Sequence, residues 1–340
     1  MIGRKNRPAV VSPDTNGALL KVDHLVKYFP IKGGLLQTTV ANVKAVDDVS
    51  FDIKPGETLG LIGESGSGKS TVARTILRLI PPTSGDAFLE GRSIFKANKK
   101  ELNEIRREVQ IIFQDPYGSL NPRMRVGNIV GEGLAIHRLG SRAERRDRVH
   151  QLLELVGLPP AAARRYPHEF SGGQRQRVGI ARALAVEPRF VVADEAVSAL
   201  DVSIQAQIIN LLQELRERLG LTMLFIAHDL RVVEHVSDRV AIMYLGHIVE
   251  IGPRDEIYRN PRHPYTRALL SAVPVPDPRR AARRTPLGGD VPSPVNPPPG
   301  CAFHPRCPAA EAVCRSVQPS LETGRRDHAV ACHVFPAEKE

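Results

Sequence analysis

The sequence predicts an α/β fold built on a mostly parallel sheet. Three features point to it. Apolar strand-like segments alternate with helical ones from residue 59 to residue 251, as in a parallel sheet with crossover helices. One such segment, residues 59–62, runs into Gly63-Glu64-Ser65-Gly66-Ser67-Gly68-Lys69-Ser70 and then a helical stretch. That is G-x-x-x-x-G-K-[ST], a phosphate-binding loop in its strand-to-helix setting. Finally, this loop, Gln114, Asp194-Glu195 and His228 all stand at strand C-terminal ends, where an open parallel sheet gathers ligands.

The elements follow in order. Residues 1–17 have no apolar core of the secretory-signal kind and read as a short disordered arm. Residues 18–62 read as strands with turns, the second closed by Lys54-Pro55-Gly56-Glu57. A helix opens at Thr71 and is broken by Pro81-Pro82-Thr83-Ser84-Gly85, and residues 86–91 form a short strand. Residues 109–113, VQIIF, are an apolar strand ending at Gln114-Asp115-Pro116. Residues 126–165 look helical, with Val149, Leu152, Leu153 and Val156 on one face. Ser171-Gly172-Gly173-Gln174 precede a helix running through Ala185.

Residues 190–193 are a buried strand running into Asp194-Glu195. Ile204, Ile208, Leu211, Leu212, Leu215 and Leu219 mark a long amphipathic helix. Residues 222–227 form a further strand, ending at His228-Asp229, and two short strands at 240–243 and 248–251 flank Gly246. From about Asn260 proline becomes frequent, culminating in Pro297-Pro298-Pro299. This reads as a linker-like, partly extended stretch leading to a small cysteine-bearing tail.

Composition narrows the classes. With 340 residues, 42% of them hydrophobic, the chain can bury a sizeable core. No run of about twenty apolar residues exists, so no membrane span is expected. The net charge is +10, and arginines cluster within residues 138–148 and at Arg279, Arg280, Arg283 and Arg284. These read as a solvated face or linker. No stacking aromatics interleave with them, and no nucleic-acid partner is expected. All four cysteines lie beyond residue 300. Without a signal peptide a reducing compartment is expected, which favours a metal site or free thiols over disulfides.

The chemistry concentrates in the loop. Gly63, Gly66 and Gly68 let its backbone fold so that N–H groups, including those around Glu64, Ser65, Ser67 and Thr71, face one concavity. The following helix adds its positive N-terminal end. Lys69 would reach the β- and γ-phosphates of a nucleoside triphosphate, and the Ser70 hydroxyl would ligate Mg²⁺. An acid at the end of a buried strand, Asp194, would hold the metal. Glu195 beside it would accept a proton from the attacking water.

Phosphate loop, strand-end glutamine, S-G-G-Q, Asp-Glu, Ser198-Ala199-Leu200-Asp201 and His228 stand in one order. In that order the chain resembles the ATP-binding subunit of ABC transporters over residues 18–255. The resemblance implies a P-loop NTPase of the ABC type: a mixed sheet with helices, an antiparallel β edge and a helical subdomain at about residues 115–175. Tyr28 matches the aromatic that stacks on adenine. Gln114 matches the glutamine that senses Mg²⁺ and contacts the membrane subunit. Ser171, Gly172, Gly173 and Gln174 look like the signature, which binds the γ-phosphate held by another subunit. Ala199 and Asp201 match the D-loop, and His228 the switch histidine. Each ATP would then be shared by two subunits. Ala196 departs from the proline usual after Asp-Glu, and the turn holding Glu195 is expected to be looser for it.

Two further stretches closely resemble the peptide-importer ATPases: residues 113–123, FQDPYGSLNPR, and residues 260–266, NPRHPYT. Lys27-Tyr28-Phe29-Pro30 with the insert at 32–37 leans toward the second, F-type ATPase of dipeptide and oligopeptide systems. The resemblance implies an ATPase domain at 18–258 and a family-type extension at 259–340. It implies a second ATPase subunit of the D type, two permeases, an extracytoplasmic peptide-binding protein, and a place on the cytoplasmic face of the cell membrane. His263 reads as a turn residue without chemistry. Nickel and other small-solute importers share these stretches. The rival from another class is a soluble, non-transport ABC ATPase, disfavoured by the one phosphate loop and the compact region before Ser171.

Cys301, Cys307, Cys314 and Cys332 lie near His304, His328 and His333, with gaps wider than the usual zinc pairs and unlike either ferredoxin run. Spacing leaves a [4Fe–4S] cluster, zinc and free thiols open. The resemblance favours the cluster on all four cysteines, because peptide-importer ATPases carry four cysteines here and some hold one. Its expected role is to close a tail with too little core to fold alone.

Overall fold

Strands buried on both faces dictate the centre of this molecule. The structure is a computed structural model and describes residues 17–34, 37–115, 117–272 and 288–338. Most of the expected N-terminal arm lies outside the described residues, as do Pro116 and the arginines at 279, 280, 283 and 284.

From the N-terminal side, β1 (Leu20–Gly33) and β2 (Thr38–Ile53) form a long antiparallel ribbon. β3 (Thr58–Ile62) leads through the glycine-rich loop into α1 (Lys69–Ile76). β4 (Ser84–Leu89) and β5 (Arg92–Ser93) return to the ribbon, then α2 (Lys99–Glu108) and β6 (Val109–Ile112) follow. A helical layer comes next: α3 (Val126–Ile136), α4 (Arg142–Leu155) and α5 (Gly172–Leu184). Alternation resumes with β7 (Phe190–Asp194), α6 (Val202–Leu219), β8 (Thr222–Ile226), α7 (Leu230–Val236) and β9 (Arg239–Tyr244). Then come β10 (His247–Pro253), α8 (Arg254–Arg259), α9 (Pro264–Ser271), β11 (Glu322–Thr323) and β12 (Ala329–Val330).

The main sheet runs β11-β12-β10-β9-β3-β8-β7-β6, and the second runs β2-β1-β4-β5. β9, β3, β8, β7 and β6 pair in parallel, while β10, β12 and β11 add antiparallel strands. β3, β7 and β8 are buried at every residue, which is why they read as unbroken apolar runs. Their side chains alternate between two cores. Val191, Ala193, Met223 and Phe225 face the helical layer, with Val149, Leu152 and Val178. Phe190, Val192, Leu224 and Ile226 face α1 and the ribbon, with Val72, Ile76 and Leu20. The sheet therefore fixes the site from both sides.

Two expectations are refined. The stretch 126–165 is not one helix. It stops at His137, turns through Arg138 and Gly140 at positive φ, and restarts at Ser141, whose side chain and Glu144 form a capping box. The tail is not a mere appendage. β12 pairs with β10 in the main sheet, and Phe303, 1% exposed, belongs to the core beneath the helical layer. The proline-frequent stretch also holds a helix, α9, because Pro264 falls in its first turn, where no N–H is needed.

Candidate active site

The phosphate loop is shaped by contacts that leave no room for a side chain at two of its glycines. A Cβ at Gly63 would lie 2.1 Å from the Met243 carbonyl oxygen, and one at Gly68 2.1 Å from that of Ala45. Gly68, with φ 106°, also holds a left-handed conformation as it caps α1. The loop thus presses on β9 and β2 at once. Ser65 and Gly66 are exposed at its crest, Ser67 and Lys69 are buried, and Glu64, Ser70 and Thr71 are half-buried.

The Lys69 ammonium donates to the Gly63 carbonyl at 2.7 Å, the Glu64 carbonyl at 2.9 Å and Ser67 Oγ at 3.2 Å. Burial lowers its pKa, while Glu195, Asp194 and Glu64 favour the charged form. The Ser70 hydroxyl donates to Asp194 Oδ1 at 2.8 Å. Asp194 ends β7, and its side chain is 2% exposed. Two hard oxygen donors therefore converge beside the lysine, a donor set that suits Mg²⁺.

Gln114 follows β6 and donates from Nε2 to Glu195 Oε2 at 2.7 Å. His228, after β8, has Nδ1 3.9 Å from the same oxygen. Four strand ends thus deliver Lys69, Ser70, Gln114, Asp194, Glu195 and His228 to one place, as their positions in the sequence imply. Glu195 sits at φ 48°, yet its turn is fastened without the expected proline. Its N–H donates to the Ile226 carbonyl, and its own carbonyl accepts the N–H and hydroxyl of Ser198. Ala196 fills the core side of the turn at 1% exposure.

Tyr28, on β1, is half-buried, pairs across the ribbon with Lys44 and donates its hydroxyl to Asp47 Oδ1 at 2.6 Å. Desolvation pushes that hydroxyl's pKa up to about 12. The S-G-G-Q stretch stands apart from this cluster. Ser171 caps α5 in a capping box with Gln174, and both are exposed. A Cβ at Gly173 would meet Ile204 at 2.5 Å, and one at Gly172 would meet Leu200 at 3.4 Å. The signature stretch therefore lies against the segment that carries the exposed Ala199 and Asp201.

Among the described residues no three His, Cys, Asp or Glu side chains come together closely enough to hold a metal ion. Cys301, Cys307 and Cys332 are partly buried and Cys314 buried, all as free thiols. Burial pushes the Cys301 thiol up to about 11, the Phe303 N–H opposes this, and Cys314, Cys332 and Cys307 add to the rise.

Sequence reasoning missed the way the tail meets the loop. Arg306 bonds Glu64, and the Tyr265 hydroxyl accepts the Glu64 N–H at 2.9 Å. It also missed Glu250, fully buried, whose carboxylate accepts the N–H groups of Arg262 and His263 and lies 2.7 Å from His328 Nε2. The signals were present as a Tyr in NPRHPYT and an Arg between two cysteines, but neither residue has a spacing that points to its partner.

Fold and site define an ATP-binding cassette, an ATPase of the ABC class. A family model described as ABC transporter matches residues 46–198. One described as the oligopeptide/dipeptide transporter C-terminal region matches residues 249–314. A probable peptide ABC transporter ATP-binding protein of Sinorhizobium fredii, y4tS, is 56% identical over 317 residues, covering 93% of this chain and 90% of that protein. The oligopeptide transport ATP-binding protein AppF of Bacillus subtilis is 52% identical over 320 residues, covering 93% and 97%. The chain belongs to the peptide-import ATP-binding proteins of the ABC transporter family. Among solved structures, the dimeric post-hydrolysis state of the cassette MJ0796, bound to ADP and Pi, matches with a TM-score of 0.61 at 31% identity, covering 69% of this chain and 98% of that one. CbiO1 of Clostridium perfringens matches with a TM-score of 0.61 at 28% identity, covering 72% and 92%.

Proposed function

We propose that this chain hydrolyses ATP to drive import of di- or oligopeptides, with each ATP clamped between two ATPase subunits. The observation that carries the reading is the convergence of Lys69, Ser70, Asp194, Gln114, Glu195 and His228 at four strand ends. Lys69 and the start of α1 would hold the triphosphate, and Ser70, Asp194 and Gln114 would hold Mg²⁺. Mg²⁺ bound there would neutralise charge developing on the phosphates. Glu195 takes the proton of the attacking water, and His228 positions it. Tyr28 stacks on the base.

Ser171, Gln174, Ala199 and Asp201 are exposed, and Gly172 lies against Leu200 of the D-loop segment, which supports their meeting a partner's ATP. MJ0796 is itself dimeric in its ADP- and Pi-bound state. The partner ATPase of the D type, two permeases and an extracytoplasmic peptide-binding protein complete the assembly, with the helical layer of 115–175 toward the permeases. No helix among the described residues is long and apolar enough to cross a membrane. The chain attaches peripherally at the cytoplasmic face of the cell membrane in this reading.

Replacing Glu195 tests the chemistry. Glu195→Gln is expected to cut ATP turnover by about a hundredfold or more while leaving ATP binding intact and trapping the two-subunit state. Turnover near the parent rate would remove Glu195 from its role.

We further propose that the four cysteines ligate a [4Fe–4S] cluster. Their thiols influence one another electrostatically, so all four share one neighbourhood. The Phe335 N–H donates to Cys332 Sγ at 3.3 Å, and the N–H groups of Phe303, Ala309 and Val334 favour the thiolate forms of Cys301, Cys307 and Cys332, as hydrogen bonds to cluster sulfurs would. When bound, the cluster would cross-link Cys301, Cys307, Cys314 and Cys332 and so close the tail. Anaerobically purified chain is expected to be brown and to contain iron and sulfide. Colourless, iron-free protein from that preparation would dispose of the cluster.

A further inference from the structure

The tail reaches the phosphate loop through one arginine. Arg306 lies between Cys301 and Cys307, and its side chain is 5% exposed. Its Nη1 donates to Glu64 Oε2 at 2.8 Å and its Nη2 to Glu64 Oε1 at 3.2 Å, a two-pronged pair with one carboxylate. Nε donates to the Gly288 carbonyl at 3.2 Å, which fixes the guanidinium plane. Glu64 is the second residue of the loop. Its N–H goes to the Tyr265 hydroxyl at 2.9 Å, and its carbonyl accepts from Lys69 Nζ at 2.9 Å and from the Ser67 N–H at 3.1 Å. The Tyr265 ring cannot swing, because it is fully buried against Tyr244, at 4.7 Å, and Phe303, at 5.4 Å.

Glu64 is thus held at its N–H, its carbonyl and its carboxylate, and two of those three holds come from the C-terminal extension. The loop's ligand is polyanionic, so a free carboxylate at its second position would repel it. Arg306 pairs with that carboxylate and offsets its charge.

We propose that Arg306 and Tyr265 are positioning residues of the ATP site, which hold Glu64 so that the loop accepts a triphosphate. This rests on the ATP-site reading above. The tail is then a condition of full ATP affinity.

The experiment measures equilibrium binding of a fluorescent ATP analogue to the purified full chain and its variants. Binding by the parent chain establishes the site itself, and its absence there would overturn both readings. Arg306→Ala is expected to weaken binding about fivefold. Adding Glu64→Gln to Arg306→Ala is expected to restore most of the loss, because the uncompensated charge is gone. A merely structural role for Arg306 would show no such rescue. Parent-like binding by a folded Arg306→Ala protein overturns the proposal, as does a double variant no better than the single one. Should Arg306→Ala not fold, Tyr265→Phe removes only the hydroxyl. An about threefold weakening is then expected, and parent-like binding overturns the proposal.

Discussion

His263 shows how one side chain can be structural and still titrate. Its Nδ1 accepts the Tyr265 N–H at 3.1 Å, so a neutral imidazole caps α9. Burial at 1% exposure lowers its pKa to about 4, with Glu250 opposing and Arg267 reinforcing the shift. The unfolded chain protonates near the ordinary histidine value, so below it the unfolded state binds more protons. This contribution to stability is complete above about pH 6.5 and declines toward pH 4, by about 3 kcal/mol in all. His263→Asn keeps the acceptor and removes the titration. Denaturant unfolding at neutral and mildly acidic pH is expected to show a shallower loss for the variant, and equal slopes would refute the assignment. His263, read in the sequence as a turn residue, is a buried helix cap, and its burial was not visible in the sequence. Glu195 makes the complementary case: its place after an apolar strand was legible, whereas the Ser198 and Ile226 bonds that fasten its turn were not.

At the scale of elements, the strand–loop–helix unit is where local sequence and tertiary contact agree. The glycines mark the loop in the sequence, but the need for them comes from β2 and β9 pressing on it. Gly68→Ala combines strain at positive φ with a contact of 2.1 Å to the Ala45 carbonyl. It is expected to cost about 1–3 kcal/mol of stability and to abolish ATP binding, read by thermal unfolding and by nucleotide titration. Retained affinity would mean that the loop adapts more freely than its packing allows. α5 was legible for a different reason. The Ser171–Gln174 capping box is written in four consecutive residues, so local hydrogen bonding sets the helix start. The break between α3 and α4 was missed, although Gly140 and the Ser141 cap with Glu144 mark it locally.

For the whole molecule, the fully buried Glu250 carboxylate ties the extension to the cassette. From β10 it accepts the N–H groups of Arg262 and His263, which precede α9, and lies beside His328, which precedes β12. Removing it would strand buried donors on two segments at once. Glu250→Ala is therefore expected to destabilise by about 3 kcal/mol or more and to expose residues 288–338 to trypsin. Parent-like resistance to cleavage would show that β12 pairing and Phe303 suffice without it.

The sequence by itself determined the class of fold, the order of the motifs and the residues that converge at the strand ends. Those features are local or periodic: glycine patterns, helix caps, and strands apolar on both faces. Only the tertiary structure decided that the cysteine tail completes the main sheet, that Phe303 enters the cassette core and that Arg306 grips Glu64, 242 residues away in the chain. The physical reason is that a pairing between distant residues obeys no periodicity. It follows from where the surrounding core places two surfaces, and a linear pattern does not record that.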